Sequence, residues 1–445
     1  MIGSSGMAAP AVPSPSLPLD RTTRRSIAAW CLYDWANSAF ATVIITFIFS
    51  VFFARNIVGN EVSGTAQWGM AIGISGLIIA VLSPVLGAIA DHFGARKPWV
   101  GIFSAICIIC TALMYFGEPN GSPGNIAFVL TLLVMANVAY EIALVFNNAM
   151  LPHIAPHRLI GRVSGWAWGM GYMGGLICLA LSLFGLVGLG DVPPFLPVSE
   201  DGGQNLRLVA PLVAVWFGLF TIPMLIWTGD VARSQISVME SVRRGLRQLK
   251  ESVHTVGRQK NMVRFLIGSA IYRDGLNTLF AMGGLYAAAT FAMSFTDLLI
   301  FAILLNVSSG IGAALFAGMD DDRGSRQTLI LSLTGLILAG AAVLLAQDKM
   351  LFTFLALALG LFIGPVQSAS RTYVARLSPP ELVAQSYGLY SFTGRAVAMV
   401  GPFVYGLAVA TFETQRAGMV SILLFWIVGM AFLFTIHDEE EEPEE

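Results

Sequence analysis

Twelve runs of mostly apolar residues, each near the length of about 20 that an α-helix needs to cross a bilayer, constrain this chain more than any other feature. The first six fall at 27-54, 66-90, 98-117, 125-151, 162-189 and 207-228, and the second six at 262-291, 296-318, 327-346, 350-374, 383-411 and 416-436. Backbone polar groups in lipid must be satisfied within their own segment, so these runs read as an all-α integral membrane protein. Composition agrees, with 56 % hydrophobic and only 12 % charged residues, against about a quarter charged in soluble domains. A net charge of -2 leaves no broad basic surface for nucleic acid. Cys31, Cys107, Cys110 and Cys178 all sit in apolar stretches, which reads as packed, reduced thiols rather than a disulfide framework.

An even number of spans puts both termini on one side, and cationic loops tend to stay cytoplasmic. About 19 of the 25 Lys and Arg fall on the terminal side and four on the other, so both ends are expected in the cytoplasm. The chain then divides into a disordered tail at 1-25, a six-helix bundle at 26-229, a linker at 230-261, a second bundle at 262-436 and an acidic tail at 437-445. No cleaved signal peptide is expected, because no charged-then-apolar pattern precedes Arg21. In the linker, Met239, Val242, Leu246, Leu249, Val253 and Val256 recur three and four residues apart and form one apolar stripe among arginines. Such a helix is expected to lie along the lipid surface.

Three short strings recur in the same order in the two halves, which marks a duplication. Asp34 to Phe40 and Asp274 to Phe280 share D-x-x-N-[ST]-x-F. Asp91 to Arg96 and Asp321 to Arg326 share D-x-x-G-x-R, and the run Pro156, Leu159, Gly165 keeps the spacing of Pro379, Leu382, Gly388. Both halves start on the same side, so the repeat is parallel about an axis along the membrane normal, with a site expected between the halves near the midplane.

These residues resemble the major facilitator superfamily. Gly87-x-x-x-Asp91-x-x-Gly94-Ala95-Arg96-Lys97 is similar to that superfamily's loop between spans two and three, with one residue inserted before the basic pair. More narrowly, Tyr33-Asp34-Trp35-Ala36-Asn37-Ser38-Ala39, Arg96-Lys97-Pro98-Trp99 and Ile160-Gly161-Arg162-Val163-Ser164-Gly165 resemble the branch of fungal autophagy-related vacuolar amino-acid effluxers and their bacterial relatives. The resemblance implies twelve helices in two parallel six-helix repeats, with spans one, four, seven and ten lining a central cavity, and amino-acid export. Family antiporters often carry Gly-Pro in span five; the local Gly169 to Gly175 has no proline, which speaks against antiport.

Ionisable groups inside a bilayer are costly and mark cavities or pairs. Asp34, Glu141, Arg273, Asp274 and Arg395 are the five. Counted at about 1.5 Å per residue, Glu141 and Arg395 fall near the midplane, one in each half. An amino acid needs an acceptor for its ammonium and a forked donor for its carboxylate, which Glu141 and Arg395 supply; alternatively they pair with each other. Glu141, in a dry site where a bare carboxylate is costly, is the candidate for proton coupling, and no other cofactor is expected.

Asn137 shares the face of Glu141. Asn37 shares that of Asp34, and Asn277 that of Asp274; these two acids, in the inner third of the membrane, read as cavity groups or as structural pairs near the gate. Arg273 reads as a cavity group or as the neutraliser of a neighbouring acid, and Asn147, Gln367 and Arg371 as interhelical hydrogen-bonding groups or ligand contacts. Asp91, Arg96, Lys97, Arg162, Asp321 and Arg326 form a candidate cytoplasmic gate whose charges pair in one state and part in another. Gly161, Gly165 and Gly169 read as close helix packing, and Gly401-Pro402 as a bend.

His153 and His157 have metal-like spacing, but Pro152 and Pro156 interrupt it, so no metal site is expected. No phosphate loop and no nucleophile with its base is present, which disfavours direct ATP drive and an enzyme. The expectation is a small-solute transporter, with amphipathic drug or lipid export, or a non-transporting receptor or scaffold, as alternatives. The membrane is expected to be a bacterial cytoplasmic one, although the non-cytoplasmic loop between spans three and four carries an Asn-x-Ser string at Asn120-Gly121-Ser122.

Overall fold

The computed structural model describes residues 20–188, 192–230, 259–293 and 295–436, without the side chains of residues 61, 62, 91–93, 285, 295, 296 and 299. The first half contains α1 (Arg21–Ile57), α2 (Glu61–Phe93), α3 (Lys97–Phe116), α4 (Pro123–Ile154), α5 (His157–Val187) and α6 (Asp201–Trp227). The second contains α7 (Lys260–Phe291), α8 (Phe295–Arg323), α9 (Ser325–Leu345), α10 (Lys349–Leu377), α11 (Pro380–Phe412) and α12 (Gln415–Phe434). Among the described residues, eleven of these twelve have the length and apolarity of a membrane crossing. The other, α7, has 32 residues, ample at about 1.5 Å each, but Arg264, Arg273, Asp274 and Asn277 dilute its apolar character.

Helix ends follow local chemistry. Asp20 accepts hydrogen bonds from Thr23 N at 2.9 Å and Thr22 Oγ1 at 2.6 Å, which hold its carboxyl down at about 2. That cap starts α1 at Arg21, ahead of the expected 27 and inside the segment 1-25 expected to be a disordered tail. Asn60, Ser122 and Asp348 cap α2, α4 and α10 in the same way. Gly94 and Gly324, matching residues of the repeat, end α2 and α8 with φ of 84° and 82°, a region that side chains with a Cβ rarely enter. The linker stripe, residues 1–19 and the acidic tail at 437-445 lie outside the described residues.

Two irregularities face the centre of the molecule. Over Phe40–Phe47, α1 widens into π turns, a feature common at functional sites. In α11 the helix breaks between Val397 and Val400, where the sequence placed a bend. Pro402 has no N–H to return to the preceding turn, and Gly401 N donates instead to Asp274 Oδ2 at 2.7 Å.

The halves meet on the side that carries both described chain ends, here called the terminal side. A Cβ added to Gly165 would lie 2.5 Å from the Ala317 Cβ, and one on Gly161 2.6 Å from the Asp320 Cβ, so α5 and α8 touch almost backbone to backbone. Gly87 against Ala384 and Gly388 against Ser83 repeat the arrangement between α2 and α11. Small residues permit this approach, which excludes lipid and water from the seam. The free cysteines Cys31, Cys107, Cys110 and Cys178 are all buried.

Candidate functional site

Glu141 on α4 and Arg395 on α11 form an ion pair through Oε1 and Nη2, joining the two halves near mid-helix. They are 20 % and 30 % exposed, so solvent or solute reaches both. The pair stands between two chambers and lines each. The distal one, about 570 Å³, is bounded in part by Thr42, Asn137, Tyr172, Phe280 and Phe301; the terminal-side one, about 490 Å³, by Asp34, Asn37, Arg273, Arg371 and Tyr390. Each volume lies within the roughly 300–1,000 Å³ of small-molecule sites.

A second ion pair crosses the halves deeper on the terminal side. Arg371 Nη1 reaches Asp34 Oδ2 at 2.6 Å, and both side chains are nearly inaccessible. The same guanidinium donates to Ser164 Oγ at 3.0 Å and the Ser164 carbonyl at 2.6 Å, and its carbon lies 4.8 Å from the Trp30 ring centre. This arginine sits in the last turns of α10, and Tyr387 OH caps its carbonyl at 2.8 Å.

Below it lies the outer seal. Asp321 accepts from Gly161 N at 2.7 Å and Arg162 N at 3.0 Å, while Arg162 Nη2 reaches Asp322 at 3.3 Å. Arg376 positions the acids from their own half, 3.2 Å from Asp320 and 3.5 Å from Asp321. None of these polar joins lies in the distal half, so the molecule is closed on its terminal side.

A family model described as "Vacuole effluxer Atg22 like" matches residues 53–445. The chain belongs to the Atg22-like vacuole effluxer family. It is similar to the uncharacterized MFS-type transporter YxiO of Bacillus subtilis (strain 168), 25 % identical over 417 residues, covering 92 % of this chain and 94 % of that protein. Autophagy-related protein 22 of Eremothecium gossypii is 21 % identical over 490 residues, covering 94 % and 92 %. Among solved structures, the proton:xylose symporter XylE superposes with a TM-score of 0.68 at 11 % identity, covering 93 % and 94 %. A bacterial homologue of the iron transporter ferroportin in its outward-facing state gives 0.66 at 14 %, covering 93 % and 99 %. The fold is therefore that of the major facilitator superfamily, and this Atg22-like chain is a transporter, not an enzyme.

In this Atg22-like chain several expected residues take other places. Asp274 lines neither chamber; it is 1 % exposed and holds Gly401 at the α11 break. Arg273 makes no ion pair with its neighbour Asp274; its Nη1 donates to the Tyr390 carbonyl at 3.0 Å and its guanidinium lies 3.9 Å from the Tyr390 ring centre. Asn277 lines both chambers, Asn37 only the terminal-side one, and Asn137, in the distal one, donates to Ser75 Oγ at 2.6 Å.

Of the six expected gate residues, Arg162 and Asp321 join the halves. Arg96 donates to the Ala149 carbonyl and Lys97 to the Thr228 carbonyl within the first half, and Arg326 to the Leu433 carbonyl within the second. The side chain of Asp91 lies outside the described residues. Sequence reasoning left out of the charged set Arg371, Arg376, Asp320 and Asp322. The signal available was four acids and arginines beside the already recognised D-x-x-G-x-R loop and at the end of span ten.

Proposed function

We propose that this protein exports small zwitterionic solutes, chiefly amino acids, by alternating access around Glu141 and Arg395. The observation that carries this reading is the Glu141–Arg395 pair, drawn from opposite halves and shared by both chambers. An ammonium takes the place of Arg395 on the carboxylate and a carboxylate the place of Glu141 on the guanidinium, so a zwitterion satisfies both groups while the halves part. Export agrees with the description of the family as vacuole effluxers. The terminal side is the cytoplasmic one, supported by its share of Lys and Arg, with Arg162 and Asp321 as its gate and the membrane a bacterial cytoplasmic one. Proton coupling acts at Glu141, because a proton on its carboxylate releases it from Arg395.

A second reading has one observation in its favour. The distal chamber is faced by Phe47, Phe280, Phe301, Phe352 and Met419, which suits an amphipathic compound. Counterflow in proteoliposomes loaded with pooled labelled amino acids, with and without a pH gradient, separates the two. Exchange by the parent that is lost in Glu141→Gln and Arg395→Met supports the zwitterion site. A folded parent that exchanges no amino acid, yet is stabilised by amphipathic compounds, removes it.

A further inference from the structure

The terminal-side chamber is unevenly charged. Its lining includes two carboxylates, Asp34 and Glu141, and three guanidinium groups, Arg273, Arg371 and Arg395. Asp34 is committed to Arg371 and Glu141 to Arg395. Among the described residues no carboxylate lies within ion-pair distance of Arg273, whose partners are one carbonyl and one ring. A guanidinium has five N–H donors, so most of its donor capacity is free. An uncompensated cation within a membrane is costly, and an anion entering the chamber removes that cost.

The backbone makes room for this cation. A Cβ on Gly394 would lie 2.8 Å from Arg273 Nη1, 3.0 Å from Cζ and 3.1 Å from Nη2. The guanidinium therefore lies flat against α11 immediately before Arg395, and the two cations approach one chamber from neighbouring positions. Asn277, one turn along α7, adds a neutral amide beside them.

We propose that Arg273 selects for charge and that the preferred solute carries one more carboxylate than ammonium, as an acidic amino acid does. The inference rests on the reading that Glu141 and Arg395 take the ammonium and the α-carboxylate; Arg273 then takes the side-chain carboxylate. A charge-assisted hydrogen bond is worth roughly tenfold or more in affinity.

Trp168 lines both chambers, so the part of the tryptophan fluorescence change that Trp168→Phe removes reports occupancy. The full chain in nanodiscs is titrated with glutamate, its neutral isostere glutamine, and glutarate, which has two carboxylates and no ammonium. Glutamate binds about tenfold more tightly than glutamine in the parent; Arg273→Gln abolishes that difference, leaving glutamine within twofold, and Arg273→Lys restores most of it. Equal binding of glutamate and glutamine by the parent, an equal loss of both in Arg273→Gln, or no binding of either dicarboxylate overturns the inference. Binding of glutarate that needs Arg273, with glutamate no better than glutarate and unaffected by Glu141→Gln, upholds charge selection but overturns the amino-acid reading. Amino-acid binding with no preference for the acidic one does the reverse.

Discussion

Arg371 holds three residues of the opposite half at once: Asp34, Asn148 and Ser164. Both members of the Arg371–Asp34 pair are buried, so removing one leaves the other as an unpaired charge, at a cost of about 3–5 kcal/mol. Asp34→Asn and Arg371→Met should each lower the thermal denaturation temperature of the purified protein sharply. The double variant should recover part of the loss; a double variant as damaged as the two singles added would contradict the pairing. The Glu141–Arg395 pair behaves differently, because both partners are partly accessible and water can replace part of what the lost partner supplied, and Glu141→Gln should denature within a few degrees of the parent while losing exchange. Asp34, Glu141, Arg273, Asp274 and Arg395 were legible as costly charges from their places in apolar runs. Which acid meets which arginine was not, since Asp34 and Arg371 lie 337 residues apart and no local spacing encodes their meeting. Asp274 was equally opaque, because its partner is a backbone N–H freed by the break in α11, 127 residues further along the chain.

At the scale of elements, the terminal-side seam rests on glycine. Gly165 faces Ala317 with no space for a larger side chain, and overpacking costs about 1–3 kcal/mol. That cost falls only on the closed arrangement, so Gly165→Leu should shift the balance toward the state open on the terminal side by roughly 5- to 150-fold. Alkylation of a cysteine placed at Ser368, which is buried at this seam, should accelerate accordingly; an unchanged rate would contradict the packing argument. Gly324→Ala forces a Cβ into a backbone region that costs about 1–3 kcal/mol and should lower stability by that amount in denaturant titration. The repeat, the twelve spans and the glycine stripe were readable because periodicity and small-residue spacing are local properties. The early start of α1 was missed because Arg21, Arg24 and Arg25 read as a tail, although Asp20 and Thr23 carry a cap signature.

For the molecule as a whole, two six-helix halves touch on one side and enclose chambers on either side of a single charge pair. A terminal side that is cytoplasmic predicts that a reporter active only outside the cytoplasm stays silent when fused after Ile436 and becomes active when fused in the loop between α3 and α4. The reverse pattern would invert the assignment. The most direct test is a pair of spin-label distances in one preparation: labels at His157 and Arg323, on the exposed terminal ends of α5 and α8, and labels at Thr65 and Thr411, exposed on the distal ends of α2 and α11. With amino acids present, or with Glu141→Gln breaking the central pair, the terminal-side distance should lengthen while the distal one shortens. Distances that stay fixed, or that lengthen together, would contradict alternating access around Glu141 and Arg395.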